Sequence, residues 1–151
     1  MYDFGDLYQE IVMDHNRRPR NYGSLKEPTS STDGYNPLCG DEVTVFLRLK
    51  DDKVAEISFE SEGCAISRSS ASMMTEEIKG KSVVDAVKVF EAFRSLLTQD
   101  QLDEQQTEIL GDLEILRGVS NYPARIKCAT LSWHALRVGL EGNTEQAVSA
   151  E

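Results

Sequence analysis

The chain carries three cysteines, Cys39, Cys64 and Cys128, and an aspartate, Asp41, two residues after the first of them. A fold that gathers all four side chains has to join three widely separated stretches at one point. Three thiols and one carboxylate form the donor set of a tetrahedral metal site. Zinc in such a site sits about 2.3 Å from thiolate sulfur and about 2.0–2.2 Å from carboxylate oxygen. In extended backbone, side chains at i and i+2 share a face, so Cys39 and Asp41 can converge while Glu42 points away. Gly40 between them has no side chain and lets the chain wrap closely around an ion. The competing account of the spacing is three separately buried cysteines, because free cysteine is among the most buried residue types.

An odd cysteine count does not suit a disulfide framework. Asp3, Asp6, Glu10 and Asp14 interrupt the first helical stretch, so it does not read as a secretory signal. Reduced thiols and a cytoplasmic location are therefore expected. No apolar run approaches the ~20 residues of a bilayer span, so no membrane partner is expected. A formal net charge of −10 disfavours nucleic acid, whose phosphates need a basic surface. With 151 residues and 40% hydrophobic content, the chain suits one domain over 1–151 built on one core.

Hydrophobic periodicity predicts a helix from about Asp3 to His15, ended by Pro19, Asn21 and Gly23. A loop rich in Ser, Thr, Pro and Gly is expected from there to Cys39. Val43, Val45, Leu47 and Leu49 alternate with more polar residues as a strand does. Asp51-Asp52-Lys53 then turns into a second strand with Ala55, Ile57 and Phe59 inward and Glu56, Ser58 and Glu60 outward. A helix is expected from near Ser67, capped by Ser67 or Ser69 and stopped by Gly80. Ser82 and Asp85 approximate a capping box for the next helix, with Val83, Ala86, Val87, Phe90 and Phe93 as its buried stripe. Asp100 to Glu114 holds six acidic residues and no basic one, which reads as a solvated helical face. Pro123 suits the first turn of a last helix carrying Ile126, Ala129, Trp133, Leu136 and Leu140. The tail over about 142–151 is expected to fray. The fold class is α+β, a small antiparallel sheet packed against helices.

His15, near a helix end, reads as a C-terminal cap rather than a ligand. His134 is assigned no role. Arg17, Arg18 and Arg20 form the one basic cluster and read as a solvated loop. Arg125 and Cys128 lie three apart and so neighbour each other on one helix flank.

Asn36-Pro37-Leu38-Cys39-Gly40-Asp41, Gly63-Cys64-Ala65-Ile66-Ser67 and Arg125-Ile126-Lys127-Cys128 together resemble the IscU/NifU-like iron–sulfur cluster assembly family, most of all its SufU branch. The resemblance runs from about Tyr8 to Leu140. It implies Cys39, Asp41, Cys64 and Cys128 as metal ligands, and the IscU/NifU N-terminal-like fold. Three departures separate the chain from the scaffold branch. Lys127 stands where that branch has a histidine before the last cysteine, and a protonated lysine has no lone pair for a metal. Asn121-Tyr122-Pro123-Ala124-Arg125 stands where it has a Leu-Pro-Pro-Val-Lys chaperone-recognition motif. The segment between Cys64 and Cys128 is also longer.

The SufU-like resemblance implies a zinc-dependent sulfurtransferase. Such a protein takes persulfide sulfur from a pyridoxal-phosphate cysteine desulfurase (SufS-like) and serves downstream Suf assembly proteins. It further implies that a desulfurase histidine replaces one cysteine on zinc and frees it to attack. Exchange needs a thiolate, which a bound metal supplies. Cys39, on a Pro/Gly-containing loop, is the expected sulfur acceptor, and Arg125 the expected charge partner for the thiolates or Asp41. Two alternatives remain: a scaffold carrying iron or a [2Fe–2S] cluster on the same thiolates, and an interaction domain with a purely structural zinc.

Overall fold

The large side chains Phe59, Phe93 and Trp133 have almost no exposed surface, and the secondary structure is arranged around them. A computed structural model describes residues 4–98, 101–141 and 148–149. The helices are α1 (Phe4–Arg17), α2 (Ala65–Ile78), α3 (Val83–Leu97), α4 (Glu104–Leu110) and α5 (Pro123–Leu140). A 3-10 segment, Gly111–Asn121, joins the last two. The strands are β1 (Ser30–Asn36), β2 (Asp41–Lys50), β3 (Lys53–Glu62) and β4 (Val148–Ser149). They form one sheet in the order β3-β2-β1-β4, antiparallel except where β4 pairs parallel with β1. Of the tail expected to fray, only Val148–Ser149 lies within the described residues, and it is that short strand.

The stretch expected to be loop contains β1. Its inward positions are Ser30, Thr32, Gly34 and Asn36, small or polar residues that carry no apolar alternation. Packing explains the choice. A Cβ on Gly34 would lie 3.1 Å from side-chain atoms of both Leu131 and Val43. On the facing helix, a Cβ on Gly139 would lie 2.9 Å from Leu47 and Ser30. Helix α5 thus rests directly on β1 and β2, and larger residues would overpack the contact.

On β3 the inward set is Val54, Ile57 and Phe59, whereas Ala55 is exposed and Ser58 is buried. A register shift between Arg48 and Leu49 pairs Leu49 with Val54 and turns the first residues of β3 over. Both flanks of the sheet are covered in part. Tyr22 bridges Phe59, with Gly23 N–H donating to Phe59 O at 2.8 Å and Phe59 N–H to Asn21 O at 3.1 Å. Farther along β3, Val54 N–H donates to Lys81 O, and Gly80 N–H to Val54 O, both at 2.8 Å. On the other flank Gly34 and Tyr35 pair with Val148 and Ser149.

Helix α2 is capped by Cys64, three residues before Ser67, and several of its serines serve a different purpose. Ser67, Ser69, Ser70 and Ser72 are all buried. Ser69 donates to Val12 O on α1 and Ser70 to Ala129 O on α5, each at 2.6 Å, while Trp133 Nε1–H donates to Ser70 at 3.0 Å. His15 is buried in the last turn of α1 and sits 2.7 Å from the Ser72 hydroxyl through Nδ1. It pins α1 to α2 rather than capping its own helix, and burial pushes its pKa down. His134 is likewise pushed down by burial and stacks edge-on against Phe90. Arg18 and Arg20 both pair with Asp14, at 2.8 and 2.6 Å.

Ser82 caps α3 as expected, accepting from Asp85 N–H at 3.1 Å. The acidic stretch is helical at α4, with the apolar side expected of it buried at Leu110 and Leu113, and the 3-10 segment continues that burial through Ile115, Leu116 and Val119. No helix among the described residues is long and apolar enough to cross a membrane.

Candidate metal centre

Three of the four candidate ligands sit at junctions between elements, and the fourth lies inside a helix. Asp41 opens β2, directly opposite Asn36 at the end of β1, and Pro37–Gly40 form the turn that carries Cys39 between them. Gly40 has φ of +72°, and its N–H donates to Asn36 O at 2.8 Å, which closes the turn. Cys64 is the N-cap of α2, its sulfur 3.5 Å from Ser67 N–H. Cys128 lies in the second turn of α5. The Cys39–Asp41 turn, the end of β3 and the start of α5 meet at one end of the sheet.

Cys39, Asp41 and Cys128 offer ligand atoms all within 4.8 Å of one another. The Cys128 and Cys39 sulfurs are 3.4 Å apart. The Cys64 sulfur stands beside this group, 3.8 Å from Asp41 Oδ2. Burial differs sharply among the four. Asp41 and Cys128 are shut away from solvent at 0% and 1% exposure, Cys64 is half-buried, and Cys39 is exposed. A fully buried carboxylate facing thiols is costly unless a cation or hydrogen bonds compensate it. Asp41 Oδ1 accepts from Cys64 N–H at 2.8 Å, while Oδ2 faces the Cys64 sulfur at 3.8 Å and the Asn36 carboxamide at 3.4 Å. Two soft sulfurs and one oxygen stand close enough to share a thiophilic ion, and the Cys64 sulfur borders that group through Asp41.

Burial, with Asp41 and Cys39 alongside, pushes the Cys128 thiol far above the usual range. A bound cation reverses that balance by favouring the thiolate. Cys128, then Cys64 and Cys39, raise the already high pKa of Arg125, so this exposed guanidinium faces the sulfur cluster. Tyr8 shares the neighbourhood: burial first, then Tyr122 and Cys64, raise its hydroxyl pKa. Leu38 and Tyr122 are exposed hydrophobics flanking Cys39 and Pro123 in the chain.

Two residues of the site carry no role by sequence reasoning. Asn36 is fully buried and reaches both Asp41 and Cys128; its position just before Pro37 in the ligand turn was the available signal. Gly63, with φ of +142°, lets the chain pass over Asp41. A Cβ there would fall 2.2 Å from Asp41 Oδ1 and 2.9 Å from its Cα. Gly63→Ala is therefore expected to displace the carboxylate. Backbone strain of about 1–3 kcal/mol should appear as a lower melting temperature, and metal retention should weaken with it. Wild-type values for both would remove Gly63 from the site.

Comparison with known proteins places this geometry. Residues 7–129 match the NifU-like N-terminal domain. The chain belongs to that family. Within it, the zinc-dependent sulfurtransferase SufU of Bacillus subtilis is 46% identical over 134 residues, covering 89% of each chain. The iron–sulfur cluster assembly scaffold protein IscU of Streptococcus pyogenes is 39% identical, covering 89% of this chain and 83% of the relative. Among solved structures, the crystal structure of FiSufU, a candidate cluster assembly scaffold of the SUF system of Fervidobacterium islandicum, superposes with a TM-score of 0.82. It is 33% identical and covers 87% of this chain and 94% of that one. The α+β architecture expected from periodicity is thus the fold of this NifU-like family.

Proposed function

We propose that this protein is a zinc-dependent sulfur acceptor of iron–sulfur cluster assembly, working in the cytoplasm beside a cysteine desulfurase. The observation that carries this reading is the unequal burial of the donor set: a sealed Asp41 and Cys128 adjoin an exposed Cys39. A site built only to hold the fold together has no need of an exposed thiol. The likeness to the B. subtilis sulfurtransferase supports zinc as the metal and sulfur transfer as the activity. Cys39, Asp41, Cys64 and Cys128 are the proposed ligands, and the ion supplies thiolate character at neutral pH when bound.

The chain's own residues then divide the work. Cys128 and Cys64, rooted in α5 and at the start of α2, hold their positions. Cys39 on its turn can leave the group and approach the donor. Its thiolate attacks the outer sulfur of the donor's cysteine persulfide. A new S–S bond forms on Cys39, the donor's S–S bond breaks, and the donor cysteine departs as thiolate. Arg125 offsets the negative charge left among the remaining ligands.

Protein purified without added metal should contain about one zinc per chain, and should accelerate a purified cysteine desulfurase. Stoichiometric iron and sulfide with visible absorbance would instead favour a cluster scaffold, the activity named for the S. pyogenes relative. Asp41→Ala should weaken zinc retention while the fold persists on its own core. Unchanged zinc affinity in that variant would strike Asp41 from the ligand set.

A further inference from the structure

Asn36 touches two of the proposed ligands, Asp41 and Cys128, although its own carboxamide oxygen is turned to Leu38 N–H and away from them. We infer that its carboxamide is a positioning residue that clamps Asp41 and Cys128 to the turn bearing Cys39. The inference rests on the metal site proposed above.

The orientation of the carboxamide follows from its neighbours. Leu38 N–H is a donor, 3.2 Å from the carboxamide oxygen, so Oδ1 must face it. That leaves the NH2 group directed at two acceptors, Asp41 Oδ2 at 3.4 Å and Cys128 Sγ at 3.6 Å. The Asn36 backbone carbonyl meanwhile accepts from Gly40 N–H at 2.8 Å. One residue therefore ties the backbone before and after Cys39 to the two ligands sealed in the interior. Its side chain has no contact with solvent, so no water competes for these bonds.

This arrangement has two consequences. The two N–H groups share the negative charge that three thiolates and a carboxylate place around a divalent ion. They also keep Asp41 and Cys128 aligned when Cys39 withdraws, because the clamp holds the base of the turn and not its tip. Partners that orient metal ligands commonly account for 10–100-fold in affinity.

Asn36→Asp is the sharpest probe. It keeps the shape and the acceptor for Leu38 N–H, but replaces the NH2 with an oxygen facing one carboxylate and one thiolate. Zinc affinity of the full-length variant, measured by competition with a chromophoric chelator, should fall about 10–100-fold or more. Asn36→Ser, too short to reach Asp41 or Cys128, should fall less steeply and covers the case in which the aspartate variant does not fold. Melting curves of the metal-free forms separate positioning from packing: the serine variant should melt close to metal-free wild type. Its cobalt-substituted form should show a shifted thiolate-to-metal absorption. Wild-type zinc affinity in both variants, or in the serine variant if the other does not fold, would overturn the clamp and leave the sulfur-acceptor reading intact. A serine variant whose affinity falls only as far as its metal-free stability does would reduce Asn36 to a packing role. A wild-type protein that binds no zinc would overturn both.

Discussion

Protein carrying Cys39→Ala is expected to leave a cysteine desulfurase at its unaided rate. Wild type relieves the donor of its persulfide by offering a thiolate, and alanine offers no nucleophile at that position. The effect on folding should be small, because Cys39 is exposed on a four-residue turn whose backbone bonds, from Leu38 and Gly40 to Asn36, do not involve its side chain. Mass spectrometry of wild type after turnover should find one added sulfur on Cys39. Cys128→Ala should fail too, but by another route. It removes a side chain with 1% exposure from α5 and should cost about 0.5–3 kcal/mol in the metal-free state, so its melting curve shifts where that of Cys39→Ala does not. Stimulation by Cys39→Ala equal to wild type would remove Cys39 as the acceptor.

Stripping the metal should lower the melting temperature by about 10 °C without unfolding the protein at room temperature. A ligand that binds only the folded chain, present at about a thousand times its dissociation constant, adds about 4 kcal/mol. For a domain of this size, each kcal/mol moves the midpoint by about 2–4 °C. The fold survives because Trp133, Phe93, Phe59 and their neighbours build a core apart from the thiols. Differential scanning calorimetry before and after chelation gives the shift, and restoring zinc should reverse it. An unchanged midpoint would mean that no ion bridges the Cys39 turn, the start of α2 and α5.

Much of this was legible in the chain, and the gaps have physical causes. Val43, Val45 and Leu47 announced β2 because the strand is apolar on one face and polar on the other. Strand β1 was hidden because closeness to α5 selects Ser30, Thr32 and Gly34, and apolar alternation cannot detect a seam chosen for smallness. Ser67 and Ser69 have the side chains of helix caps; the thiol of Cys64 takes that place, and Ser69 and Ser70 instead join α2 to α1 and α5. At Val54 and Ala55 simple alternation falls one residue out of step with the fold, since a shift in pairing between neighbouring strands leaves no mark on either sequence alone. The Cys39-Gly40-Asp41 spacing announced a metal centre, whereas Asn36 acquires its role only when folding sets it against Asp41 and Cys128.

The strips of chain that flank the sheet bear on how a partner can be met. An exposed strand edge is an adhesive surface, ready to zip onto a strand from another molecule. Here Asn21–Gly23 and Gly80–Lys81 take up hydrogen-bonding positions along β3, and Val148–Ser149 do so at Gly34–Tyr35 of β1. At those positions the sheet has no vacant backbone to lend. Recognition through side chains and turns can release a partner quickly, while an added strand comes away only by breaking a whole ladder at once. A courier that loads and unloads repeatedly is better served by the first kind of grip.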